Sequence, residues 1–109
     1  MQLTVRRETG VTVVRADEAR LDAAGVLAFK DRFREAVVNV QGRVILDLGS
    51  VNFLDSSGLG AVVAARKFLD DGVALELAAL TPAVERVFRL TRMDSVFTIH
   101  PQVEDALTG

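Results

Sequence analysis

Val44-Ile45-Leu46-Asp47-Leu48 is a near-continuous apolar run, and shortly after it comes Val51-Asn52-Phe53-Leu54-Asp55-Ser56-Ser57-Gly58-Leu59-Gly60. The first segment has the composition of a strand covered on both faces, as at the centre of a parallel sheet. The second hands a short apolar stretch into two hydroxyls, two glycines and a helix. That helix is expected to run to about Asp70, with Leu59, Val62, Val63, Phe68 and Leu69 on its apolar side. Ala61, Ala64 and Ala65 allow close packing, and Asp70-Asp71-Gly72 stops it.

Outward from this centre, strands and helices alternate. Towards the N-terminus, Leu3 to Arg7 and Val11 to Ala16 read as two short strands around Glu8-Thr9-Gly10, an antiparallel hairpin whose Gly can take the positive φ of a tight turn. From Asp22 the period becomes that of a helix, with Val26, Phe29, Phe33, Val37 and Val40 on one face and Asp22 placed as N-cap. Gln41-Gly42 ends it. Towards the C-terminus, Val73 to Leu80 reads as a strand, and Thr81-Pro82 starts a helix with Val84, Val87, Phe88 and Thr91 as its buried stripe. Val96 to Ile99 is expected as a short last strand and Pro101 to Leu107 as a terminal helix or turn. The fold class is therefore α/β: a mixed sheet of about four to five strands with an antiparallel N-terminal hairpin, packed with about four helices. Crossovers in such a sheet are right-handed, and binding sites gather at the carboxyl ends of its strands. The Asp55 loop is placed at such an end.

Composition narrows the class of function. At 109 residues, half of them hydrophobic, the chain is read as one domain over 1–109 with a single core. The absence of Cys removes disulfides, thiolate metal sites and thiol nucleophiles together. A formal net charge of -2 leaves no basic field for phosphates, so no direct DNA binding is expected. Charges interrupt every apolar run before membrane-spanning length, and Met1 to Arg7 lacks the apolar core of a signal peptide, so no membrane insertion and a cytoplasmic location are expected. His100 is the only histidine; it is read as a strand-end surface residue, with no Ser-His-Asp order and no metal cluster around it. No catalytic residue, metal or cofactor is expected.

Two readings of Asp55-Ser56-Ser57-Gly58 are open at this level. A hydroxyl at a helix start lies in the field of unpaired amides and the positive end of the helix dipole, which favours phosphate. Phosphorylation there would add about -1.5 to -2 charges and act on whatever docks at the surface. Alternatively the string is turn and cap chemistry, with one Ser capping the helix and Gly making the bend. Arg86, Arg89 and Arg92 fall at helical spacing and read as a solvated face. Phe53 marks the core and also borders the candidate surface.

The run from Val44 to Gly60 resembles the signature of STAS domains, specifically the stand-alone bacterial anti-sigma factor antagonists. Arg20-Leu21-Asp22-Ala23-Ala24 resembles the family's lead into its first helix, Thr81 to Thr91 its third helix, and Met93-Asp94-Ser95-Val96-Phe97 the approach to its last strand. The resemblance covers nearly the whole chain in order and favours the switch over bare turn chemistry. It implies the STAS (SpoIIAA-like) fold and a partner switch. The unphosphorylated domain binds an anti-sigma factor that is also an ATP-dependent serine kinase, and a sigma factor is released. Phosphorylation of Ser56, with Ser57 as the alternative acceptor, switches the domain off, and a PP2C-type phosphatase restores it. The domain is then a substrate and ligand rather than a catalyst. By the same resemblance Asp22, Asp55, Ser56, Ser57, Gly58, Leu59 and Gly60 form the partner-binding surface or its backbone support, Ser57 supporting the helix.

Two departures concern local surface. Ala19 stands where the family often has Gly before its Leu-Asp pair. Arg92 stands where Gly often follows the third helix, which suggests a different C-cap geometry there. Two other employments fit the sequence less well. One is a STAS subunit of a lipid- or anion-transport system, which has no need of a phosphorylatable Ser. The other is a small hydrolase using Ser56 or Ser57, against which stand the missing base and the missing Gly-x-Ser-x-Gly elbow.

Overall fold

A computed structural model describes residues 1–108. In chain order, β1 (Leu3–Glu8) and β2 (Val11–Ala16) form the hairpin, and the two-residue β3 (Arg20–Leu21) precedes α1 (Val26–Ala36). Then β4 (Arg43–Asp47) is followed by the two-residue β5 (Phe53–Leu54) and α2 (Ser56–Ala65). Finally come β6 (Ala74–Ala78), α3 (Pro82–Leu90), β7 (Ile99–His100) and α4 (Val103–Thr108). The main sheet has five strands in the order β1-β2-β4-β6-β7, antiparallel at β1-β2 and parallel elsewhere. The expected mixed sheet and hairpin are as observed. Gly10 closes the hairpin with φ +75, a left-handed conformation that costs glycine nothing.

β4 is the middle strand, and its composition shows why. Val44, Ile45 and Leu46 are all fully buried because successive side chains point into opposite cores. On one face Val14, Leu46 and Leu77 pack under Phe29 and Phe33 of α1, Ala61 and Val62 of α2, and Val84 and Phe88 of α3. Phe29 and Phe33 stack at 5.8 Å between ring centres, one helical turn apart. On the other face Val13, Ile45 and Ala78 are covered by Ala106 of α4. Each such large side chain contributes about 1.5–3 kcal/mol on burial.

Val11, Val103 and Leu107 pack at the rim of this second cluster, and a polar group lies on the same face. Arg43 donates twice to Glu76, at 2.8 and 2.7 Å, and Nε2 of His100 lies 2.7 Å from the same carboxylate. Hydrogen bonds from the Arg43 guanidinium, helped by His100, hold the Glu76 carboxyl down at about 2. His100 therefore does end a strand, but its side chain is largely covered by this contact rather than free on the surface.

Several boundaries differ from those read off the sequence. α1 begins at Val26 with Gly25 as N-cap and no side-chain cap, so Asp22 does not cap it. It ends at Ala36, yet Val37 and Val40 stay buried after it, which is why they continue the apolar pattern. α2 ends at Ala65 and a 3-10 turn, Arg66–Phe68, covers the rest of the expected helix. Thr81 flanks α3 as expected, but its hydroxyl donates to the Val51 carbonyl at 2.7 Å instead of serving its own helix. Thr91 is exposed, its hydroxyl bonded back to Val87. The expected strand over Val96 to Ile99 is shorter and later, because a 3-10 turn, Met93–Ser95, intervenes and buries Phe97 against Phe88. Arg92 itself takes φ +61, the left-handed conformation of a helix-ending Gly, so the expected change of cap geometry is absent and Arg carries the strain.

Candidate functional site

The site is built where two short parallel strands end together. β3 and β5 pair outside the main sheet, Arg20 with Phe53 and Leu21 with Leu54, so Asp22 and Asp55 follow side by side in register. Two-residue strands carry no periodicity, and this ladder has no signature in the sequence. The link from the central strand to Ser56 thus runs through a second, small sheet.

Asp55 is the N-cap of α2, with Oδ1 accepting from the Gly58 amide at 2.8 Å. Its Oδ2 accepts from the Ala23 amide at 3.3 Å. One carboxylate therefore ties the start of α2 to the turn before α1. In that turn Oδ1 of Asp22 accepts from the Ala24 amide at 3.2 Å, and Oδ2 pairs with Arg20 at 3.2 Å. The Arg20 guanidinium also lies 4.1 Å from the centre of the Phe53 ring.

Gly58 is fixed by contact. A Cβ there would stand 2.0 Å from the Leu21 carbonyl oxygen, so only glycine allows α2 to press on β3. Gly60 has open space around it and is exposed, so no packing requires it. Leu59 is half-buried against the main core.

Ser56 and Ser57 are both exposed and lie in the first turn of α2, not in a loop before it. Since Asp55 holds the cap, neither serine is needed for it; among the described residues neither hydroxyl has a hydrogen-bond partner, so Ser57 gives no visible support to the helix. Helix geometry leaves the first amides without intrahelical acceptors and gives this end positive potential. The structure thus brings Asp22, Asp55, Ser56 and Ser57 to one surface, with Gly58 as its floor. Sequence reasoning missed the Ala23 amide and Arg20 here, and also the exposure of Leu27, 74% accessible in the first turn of α1. Leu27 carried one signal: it lies off the stripe of Val26, Phe29 and Phe33.

Among the described residues no group of His, Cys, Asp and Glu is placed to hold a metal, and no helix is long and apolar enough to cross a membrane. The fold and site define a small mixed α/β domain that exposes the start of α2 beside the turn before α1. The chain belongs to the STAS domain family, whose model matches residues 2–106. It is similar to the anti-sigma-F factor antagonist RsfB of Mycobacterium tuberculosis, 27% identical over 107 residues, covering 98% of this chain and 87% of that protein. It is also similar in structure to an anti-sigma factor antagonist from Mycobacterium paratuberculosis, with TM-score 0.87, 29% identity, and coverage of 98% of this chain and 91% of the other. The anti-sigma factor antagonist SpoIIAA in its unphosphorylated form shares the fold at TM-score 0.74 and 22% identity, over 97% and 93% of the two chains.

Proposed function

We propose that this chain is an anti-sigma factor antagonist, a single cytoplasmic domain over 1–109 that binds its partner through the α2 surface and is switched off by phosphorylation of Ser56. The observation that carries the reading is an exposed Ser56 hydroxyl at a helix start whose cap is already supplied by Asp55. A group with no structural duty can be modified without unfolding its support. The partner is an anti-sigma factor that is also an ATP-dependent serine kinase, and a PP2C-type phosphatase reverses the mark. The chain itself acts as ligand and substrate, not as an enzyme.

Charge supplies the mechanism. A phosphoserine adds about -1.5 to -2 charges to a surface already holding Asp22 and Asp55, and a partner fitted to the neutral hydroxyl must then desolvate or oppose it. A penalty of roughly 3 kcal/mol lowers affinity about a hundredfold, enough to exchange partners. Employment in a lipid- or anion-transport system has weaker support, since it gives Ser56 no role.

The test is to incubate the protein with kinase-like anti-sigma factors of its host and ATP and to locate added phosphate by mass spectrometry. Phosphate on Ser56 is expected. Phosphate on Ser57 alone would move the acceptor, and none with any such kinase would overturn the reading. Calorimetry should find partner binding retained in Ser56→Ala and weakened about a hundredfold in Ser56→Asp.

A further inference from the structure

β1 is an edge strand of the main sheet, exposed along nearly its whole length. Its register with β2 is unbroken over all six residues, and it contains neither Pro nor bulge, so only the charges of Arg6, Arg7 and Glu8 guard the edge. The Asp17 amide donates to the Gln2 carbonyl at 3.0 Å, and the same register pairs Thr4 with Arg15, Arg6 with Val13 and Glu8 with Val11. Hydrogen-bonded pairs alternate along an antiparallel ladder. Thr4, Arg6 and Glu8 therefore turn their backbone groups to β2, while Leu3, Val5 and Arg7 turn theirs outward.

We propose that this edge pairs antiparallel with β1 of a second copy, about a twofold axis through Val5. That register sets Val5 opposite Val5 and Leu3 opposite Arg7, so all outward backbone groups meet partners and every side chain keeps its face. The helix layer favours the same twofold. Arg32 and Glu35 of α1 line the groove beside Met1, Leu3 and Val5; both are exposed, and neither forms an ion pair among the described residues. Arg7 donates to the Ala36 carbonyl at 2.9 Å, which sets the end of α1 beside Arg7 and Arg32 one turn back towards Leu3. The twofold lays Leu3 against Arg7, hence Arg32 of each copy across the seam from Glu35 of the other. One strand and this rim make a small interface, so the dimer is weak, with Kd about 0.1–1 mM.

Sedimentation velocity over a concentration series reaching about 2 mM, with amide exchange by NMR, tests this. The amides of Leu3, Val5 and Arg7 should gain protection as concentration rises, while those of Thr4, Arg6 and Glu8 stay protected throughout. Val5→Pro removes only an outward amide and should abolish association. Arg32→Glu should weaken it at least tenfold and the double exchange Arg32→Glu, Glu35→Arg should restore it; this pair decides the matter if the proline variant does not fold. A monomer throughout the series, or a dimer indifferent to the charge exchange and to Val5→Pro, overturns the proposal.

Discussion

Replacing Gly58 by Ala should damage this domain, although glycine-to-alanine exchange inside a helix ordinarily helps. The new methyl group would sit 2.0 Å from the Leu21 oxygen and 2.9 Å from its carbon, against backbone that has no rotamer to yield. Reaching ordinary contact requires the start of α2 to withdraw by more than an ångström. Withdrawal stretches both Asp55 bonds, at 2.8 Å to Gly58 and 3.3 Å to Ala23. Overpacking of this kind costs about 1–3 kcal/mol and loss of a cap about 1 kcal/mol, against a gain of about 1 kcal/mol in helix propensity. The net is about 1–3 kcal/mol, a fall in Tm of roughly 4–20 °C for a domain of this size. Gly60→Ala is the matched control: it adds the same methyl in the same helix into open space and should stabilise by about 0.5–1 kcal/mol. Urea unfolding followed by circular dichroism measures both. A Gly58→Ala protein within about 0.5 kcal/mol of the parent, or equal costs at both positions, would refute the reasoning.

Asp55→Ala should cost about 1–2 kcal/mol and speed amide exchange at Ala23 and Gly58 together, whereas loss of protection at Gly58 alone would deny the tie to the α1 turn. Arg92→Gly should stabilise by about 0.5–1 kcal/mol, since it removes left-handed strain at φ +61 at the expense of a freer unfolded chain; thermal melts would show it as a raised Tm. The Glu76 carboxyl has a depressed folded pKa, from 4.5 to about 2, so its contribution is complete above pH 4.5 and is lost as pH falls through that window. The loss amounts to at most about 3 kcal/mol. Urea midpoints should therefore drop more steeply below pH 4.5 in the parent than in Glu76→Gln, and parallel curves would refute the assignment.

Strong periodicity was legible and weak periodicity was not. The apolar run at Val44 to Leu46 marked the central strand because both of its faces are buried. Phe29, Phe33, Val84 and Phe88 marked the helix faces for the same reason. Asp22 and Asp55 show where one sequence cue has two structural outcomes. Both are acidic residues before a helix, yet only Asp55 is an N-cap, because the turn at Asp22 spends three further residues before α1 begins. Ser56, Ser57 and Gly58 were identified as a unit from the string itself. The contact that makes Gly58 obligatory arises from Leu21, far away in sequence, and so appears only once β3 and β5 are paired. Arg92 hides its left-handed conformation for a related reason: neighbouring structure imposes a backbone angle that the residue type does not advertise.

The main sheet is laid down in the order in which its strands occur in the chain, β1-β2-β4-β6-β7. No strand has to be inserted between two that are already paired. A ribosome releasing this chain from its N-terminus would present the hairpin first, then one new strand at a time to a ready edge, each with the helix that roofs the preceding pair. Every loop is closed locally when it forms, which keeps the entropic cost of each step small. Growth can therefore proceed vectorially during synthesis, with the newest edge exposed only until the next strand emerges.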